Sequence, residues 1–228
     1  MTAQKKDLLT GGGLLVGFVI ILILMFSPLF NGKNYLNYMD DLFNSISKGS
    51  VYYIPKLIKE TNAYDSTIID GSLTADNENQ AKEIATQIRF SGAKADADGT
   101  TIKVSGRLGD ILASVLHDTD VMFANQDESI RAKYGYSGKQ ALYNWWTALK
   151  SMDKVLKKQK RFHDAKFVAI VQKKGVECAY NYYTIKPHSI ADETMHVIFS
   201  LIFYIIYTLW FGFGILYTLM GLGFRLEH

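Results

Sequence analysis

The chain has 228 residues, 48% of them hydrophobic and 21% charged, with a formal net charge of +3. That balance excludes a strongly basic nucleic-acid-binding protein. The single cysteine, Cys178, excludes an intramolecular disulfide and any cysteine-rich metal or haem-attachment motif.

In chain order, residues 1–13 form a short head with Lys5 and Lys6, and an uncharged apolar run follows over Leu14–Phe30. About 20 apolar residues, roughly 30 Å of helix, cross a hydrocarbon core, so 14–31 reads as a first transmembrane helix. The run is longer than a signal-peptide core, and its exit, Ser27-Pro28-Leu29-Phe30, offers no small-x-small cleavage site. It is therefore expected to be a retained anchor. Gly13 and Gly17 have GxxxG spacing, which lets another helix backbone approach closely.

Residues 32–195 are expected to form one mixed α+β, helix-dominated domain. Gly32 breaks the first helix and Asn34 offers an N-cap for a second, in which Tyr35, Met39, Leu42 and Ile46 recur at helical spacing. Thr67-Ile68-Ile69 is a strand candidate, and Asp76 is expected to cap a helix carrying Ala81, Ile84, Ala85 and Ile88 on one face. Ala93–Ala97 and Thr101–Val104 then make a hairpin across Asp98-Gly99.

Helices follow. Ile111, Leu112, Val115 and Leu116 mark one; Ser137-Gly138-Lys139-Gln140 has the form of a capping box opening a longer one. In that long helix Leu142, Trp145, Leu149, Met152 and Leu156 alternate three and four apart, a seam suited to packing along another helix within the domain. Lys150, Lys154, Lys157, Lys158 and Arg161 are expected on the opposite face, as a solvated surface or a site for anions or lipid headgroups. Ala165–Lys173 fits strand or helix equally.

Near the end of the domain His188, Asp192 and His196 stand four apart, with Glu193 beside them. On one helical face, imidazoles and a carboxylate can share a metal ion. Pro187 and Ser189 put the helix start near Ser189, which leaves His188 before it. A second uncharged run, Val197–Leu222, makes 196–222 a second transmembrane helix, and 223–228 a stub whose Leu226-Glu227-His228 has the look of a tag remnant. Tyr204, Tyr207 and Trp210 lie inside this run rather than at its ends, so the helix is expected to face protein.

Lys5, Lys6 and Arg225 flank the spans on one side, which places both termini in the cytoplasm and the domain outside it. No nucleophile elbow, phosphate-cradling glycine loop or zinc-protease helix is present. The expectation is a non-enzymatic inner (plasma) membrane protein without a cofactor, in contact with lipids and not with nucleic acid. It is expected to form a homo-oligomer with an extracytoplasmic crown, in its sharper form a pore or channel-like assembly. The alternatives are an accessory subunit of a transporter or envelope complex and, last, a ligand sensor.

Overall fold

The first helix, α1, spans Ala3–Phe26 and ends where Ser27 turns extended ahead of Pro28. The computed structural model describes residues 2–30, 32–187 and 189–224. The chain divides into two units, residues 1–46 with 187–228, and residues 47–186.

The first unit contains α1, most of α2 (Tyr35–Ser50) and the long α10 (Ile190–Gly221). Gly32, at φ +79°, makes the turn that a Cβ would strain. Asn34 then caps α2, its Oδ1 accepting from the Asn37 amide at 2.8 Å. Met39, Leu42 and Ile46 share one buried face against Tyr35, Tyr38 and Val197, as their spacing predicts. Both α1 and α10 are long and apolar enough to cross a membrane.

The second unit is helix-rich around one small sheet. After α3 (Ile54–Thr61), β1 (Ile68–Thr74), α4 (Glu78–Phe90), β2 (Lys94–Asp98) and β3 (Thr101–Arg107) form a β-α-β-β segment. The sheet is antiparallel in the order β1-β3-β2, with Ile69 opposite Gly106 and Ala95 opposite Val104. Asp98-Gly99 closes the β2–β3 hairpin, Gly99 at φ +57°. The expected Asp76 cap is corrected by one residue: Asn77 is the N-cap of α4, its Oδ1 accepting from the Gln80 amide at 2.9 Å.

The remaining helices are α5 (Leu108–Phe123), α6 (Asp127–Tyr134), α7 (Gly138–Lys158), α8 (Phe162–Ile170) and α9 (Cys178–Asn181). The ambiguous Ala165–Lys173 is helical throughout. It lies in α8 and a π-helical run, Val171–Glu177, that carries the chain into α9. Leu142, Trp145, Leu149, Met152 and Leu156 are all fully buried, so the α7 seam packs inside its own unit.

The free edge of β1 is closed by side chains from α7 and its exit. Ser151 Oγ accepts from the Thr74 amide, Gln159 donates to Asp70 O, and Arg161 donates to Ile68 O, at 2.7–2.8 Å. These bonds occupy backbone groups that an open edge would leave to solvent or another chain.

Candidate functional site

Helices α1 and α10 pack along one another through glycines. A Cβ on Gly17 would lie 2.9 Å from Trp210 Cζ2, one on Gly214 2.9 Å from Leu15 Cδ2, and one on Gly221 2.5 Å from the Leu8 amide nitrogen. Gly11 sits against the backbone of Thr218. Of the two glycines singled out by spacing, Gly17 therefore belongs to this contact, whereas Gly13 has nothing within 4 Å. Sequence reasoning missed Gly11, Gly214 and Gly221, because a glycine's role is set by what the partner helix places opposite it.

The aromatic residues of α10 divide in the same way. Trp210 Nε1–H donates to Leu14 O at 2.9 Å, and the Tyr207 hydroxyl donates to Phe18 O at 3.3 Å while its ring stacks on Phe18 at 4.3 Å. Tyr204 is 68% exposed, and its hydroxyl has no partner among the described residues. Ser200, Thr208 and Thr218 each donate back to a carbonyl of their own helix at 2.7–2.8 Å.

The basic face is shorter than the spacing implies. The last helical residue of α7 is Lys158, and Lys160, at φ +60°, turns the chain away. Arg161 leaves the face to bind Asp164 at 2.7 Å and the end of β1. Lys157 pairs with Asp153 at 2.7 Å, and Lys150 lies 4.5 Å from the centroid of the Trp146 ring. Lys154 and Lys158 are exposed.

His188 lies outside the described residues. Asp192 is in the first turn of α10, where a carboxylate suits the helix dipole. His196 is 2.8 Å from Glu193, not Asp192. Among the described residues no three potential ligands gather to hold a metal ion. The helix begins after Ser189, whose Oγ accepts from the Ala191 amide at 3.2 Å, so Ser189 is its N-cap.

Besides a hollow of about 350 Å³ beside Tyr64, His163 and Phe167, two concavities open in the second unit. One is a shallow groove of about 710 Å³ by Phe90, Lys94 and Arg107, where Arg107 is already paired with Asp110 at 2.7 Å. The other is a cleft of about 300 Å³ between α7 and the π-run with α9. Leu142, Tyr143 and Trp146 form one wall, and Val176, Glu177, Tyr180 and Asn181 the other. Its size and mostly apolar, aromatic lining with a few polar groups are those of a small-molecule site.

Local hydrogen bonds hold that lining. Trp146 Nε1–H donates to Glu177 Oε1 at 2.8 Å, Gln172 donates to Trp146 O at 3.1 Å, and Tyr143 donates to Asp76 at 2.8 Å. The neighbouring Cys178 thiol is pushed up, chiefly by burial and then by Glu177, the opposite of what a nucleophilic thiolate needs. Nothing in the sequence flagged the cleft, since its walls are distant in the chain.

Two further polar knots lie in this unit. Asp118, 1% exposed, accepts from Trp145 Nε1 at 2.8 Å, from the Tyr134 hydroxyl at 2.5 Å and from Lys133 Nζ at 2.8 Å. Lys48, fully buried, donates to Ile185 O at 2.6 Å and to Asn125 Oδ1 at 3.2 Å, and sits 4.9 Å from the Phe123 ring centroid.

No protein-family model matches the chain, and no curated protein or solved structure matches it either.

Proposed function

We propose that this is a non-enzymatic integral membrane protein of the bacterial inner membrane. Its two apolar helices form a hairpin that self-associates, and its enclosed domain lies on the extracytoplasmic side. Lys5, Lys6 and Arg225 beside the spans support that orientation. The absence of any Asn-x-Ser/Thr sequon in residues 32–195 fits a bacterial membrane.

The observation that carries self-association is Tyr204. It lies seven residues, about 10 Å of helix, inside the apolar run that begins at Val197, exposed and with its hydroxyl unpartnered among the described residues. A hydroxyl at that depth gains more from a protein partner than from acyl chains. Gly212, two turns further on, and Gly12 and Gly13 on α1 have nothing within 4 Å, which leaves room for another backbone. A second copy of the hairpin meets both needs, and a ring of such copies is a pore or channel-like assembly. An accessory role beside a transporter or envelope enzyme uses the same free faces with a different partner.

The test is the particle mass in nanodiscs, by native mass spectrometry or mass photometry, for the native chain, Gly212→Leu and Tyr204→Phe. One closed species of three or more copies that the two substitutions shift toward monomer is the expected result. A monomeric native particle overturns self-association.

A further inference from the structure

We infer that the aromatic cleft between α7 and α9 is a binding site for a small organic cation, a protonated amine or quaternary ammonium on an apolar body.

One wall of the cleft is carried by the end of the π-helical run and by α9. One residue more per turn rotates everything after it by roughly 100° relative to an uninterrupted α-helix. Such runs are uncommon and gather at functional sites. Here the run ends on Glu177, and Tyr180 follows one turn later, both turned toward α7.

The chemistry of the lining selects the ligand. Tyr143, Trp146 and Tyr180 bring three aromatic rings to about 300 Å³, room for a ligand of small size. Tyr143 and Tyr180 remain 40% and 39% exposed, so the mouth is open to solvent. The one charged side chain lining the cleft is Glu177. Its Oε1 is fixed by the Trp146 indole, while its Oε2 has no hydrogen-bond partner and the carboxylate has no ion-pair partner among the described residues. A carboxylate held by an indole among aromatic rings attracts a cation twice, by charge and by the ring quadrupoles.

The rings already act on cations. Lys150 Nζ lies 4.5 Å from the Trp146 centroid and Lys139 Nζ 5.2 Å from that of Tyr180, and neither lysine lines the cleft. These two ammonium groups are not part of the lining, whose own charge is the negative one of Glu177. The site lies wholly in the enclosed domain and does not depend on self-association of the hairpin.

The experiment titrates phenethylammonium, tetramethylammonium and phenylacetate into the full chain in nanodiscs, by isothermal calorimetry. Phenethylammonium is expected to bind saturably and more tightly than phenylacetate. Glu177→Gln is expected to weaken it about tenfold or more, with an unchanged thermal melt because the amide oxygen still accepts from Trp146. Tyr180→Ala, at an exposed position, is a second variant that weakens binding through the wall alone. No saturable binding of either cation at millimolar concentration overturns the inference. So does binding that Glu177→Gln and Tyr180→Ala leave intact, or preferential binding of phenylacetate that Lys150→Ala removes.

Discussion

Trp210 and Leu14 are joined by a hydrogen bond from the indole Nε1–H to a main-chain carbonyl oxygen, 2.9 Å long and spanning 196 residues of sequence. The carbonyl belongs to the interior of α1, so its oxygen serves the helix and the indole together. The same ring covers Gly17, the absence of whose side chain gives the indole its place. An aromatic residue inside the apolar run thus has its polar atom satisfied by the partner helix.

Trp210→Phe keeps most of the apolar contact and removes the donor. The expected cost to the hairpin is about 0.6–2 kcal/mol, the range found for hydrogen bonds between apolar helices in lipid. Reversible unfolding in mixed detergent micelles measures it. An unchanged midpoint would show that the indole proton contributes nothing to the pairing.

Glycine substitutions separate two roles that spacing alone merges. Gly11→Ala drives a methyl group into the backbone of Thr218, which has no side-chain freedom with which to yield, whereas Gly13→Ala meets empty space. The first is expected to destabilise the hairpin strongly and the second to leave it unchanged in the same assay. Equal effects would mean that α1 and α10 pair in another register.

What sequence reasoning captured is what local physics determines. The Leu142–Leu156 seam is legible because alternate three- and four-residue steps leave only one face to bury. The Asp98-Gly99 turn is legible because few dipeptides accept that conformation. Asp76 and Asn77 are both good caps and adjacent, so only the observed bond to the Gln80 amide separates them. The spacing puts Arg161 on the α7 face because nothing in the sequence announces the left-handed turn at Lys160. The cleft stayed hidden for a deeper reason: a π-helical run has no residue signature, and its consequence appears only when α7 faces it.

Asp118 is the acceptor for three side chains in a region where only 1% of it is exposed. Asp118→Ala leaves the Trp145 indole unpartnered and the Lys133 ammonium without its counter-charge, and is expected to cost about 3–5 kcal/mol. Asp118→Asn retains an acceptor oxygen and is expected to cost less. Denaturant unfolding of the full chain in detergent, followed through tryptophan fluorescence, ranks the two. A cost below 1 kcal/mol for the alanine variant would place the hub outside the stabilising core.

Alkaline stability follows from the tyrosines bound to carboxylates. The Tyr52 hydroxyl donates to Asp120 at 2.6 Å; that bond first, then burial, pushes its pKa from 10.0 up to about 12. Between those values the unfolded chain loses a proton that the folded chain keeps. The contribution of Tyr52 is therefore fully present below pH 10 and is lost as pH rises toward 12. Tyr134, raised by burial and by Asp118, acts with the same sign. Tyr52→Phe is expected to flatten the decline above pH 10, as read from thermal melts across pH. A slope equal to that of the native chain would leave the decline to other groups.

Lys48 presents the opposite sign. Desolvation lowers its pKa from 10.5, so over the window between the lowered value and 10.5 the unfolded chain binds more protons and stability rises with pH. Lys48→Met removes this contribution, and the difference between native and variant stability should shift in favour of the native chain as pH rises through that window. Both acceptors keep a second donor after the substitution: Asn125 Oδ1 takes the Thr184 amide at 2.8 Å, and Ile185 O takes Asn125 Nδ2 at 2.9 Å. The loss at pH 7 is therefore expected to be small, about 1 kcal/mol or less. Asn125→Ala removes the side-chain bonds of Asn125 to Lys48, to the Thr184 amide and to Ile185 O at a position with φ of 61°, where asparagine is favoured over alanine. It should cost clearly more than Lys48→Met. If the two rank the other way, the ammonium rather than the amide holds the end of the domain at Ile185 in place.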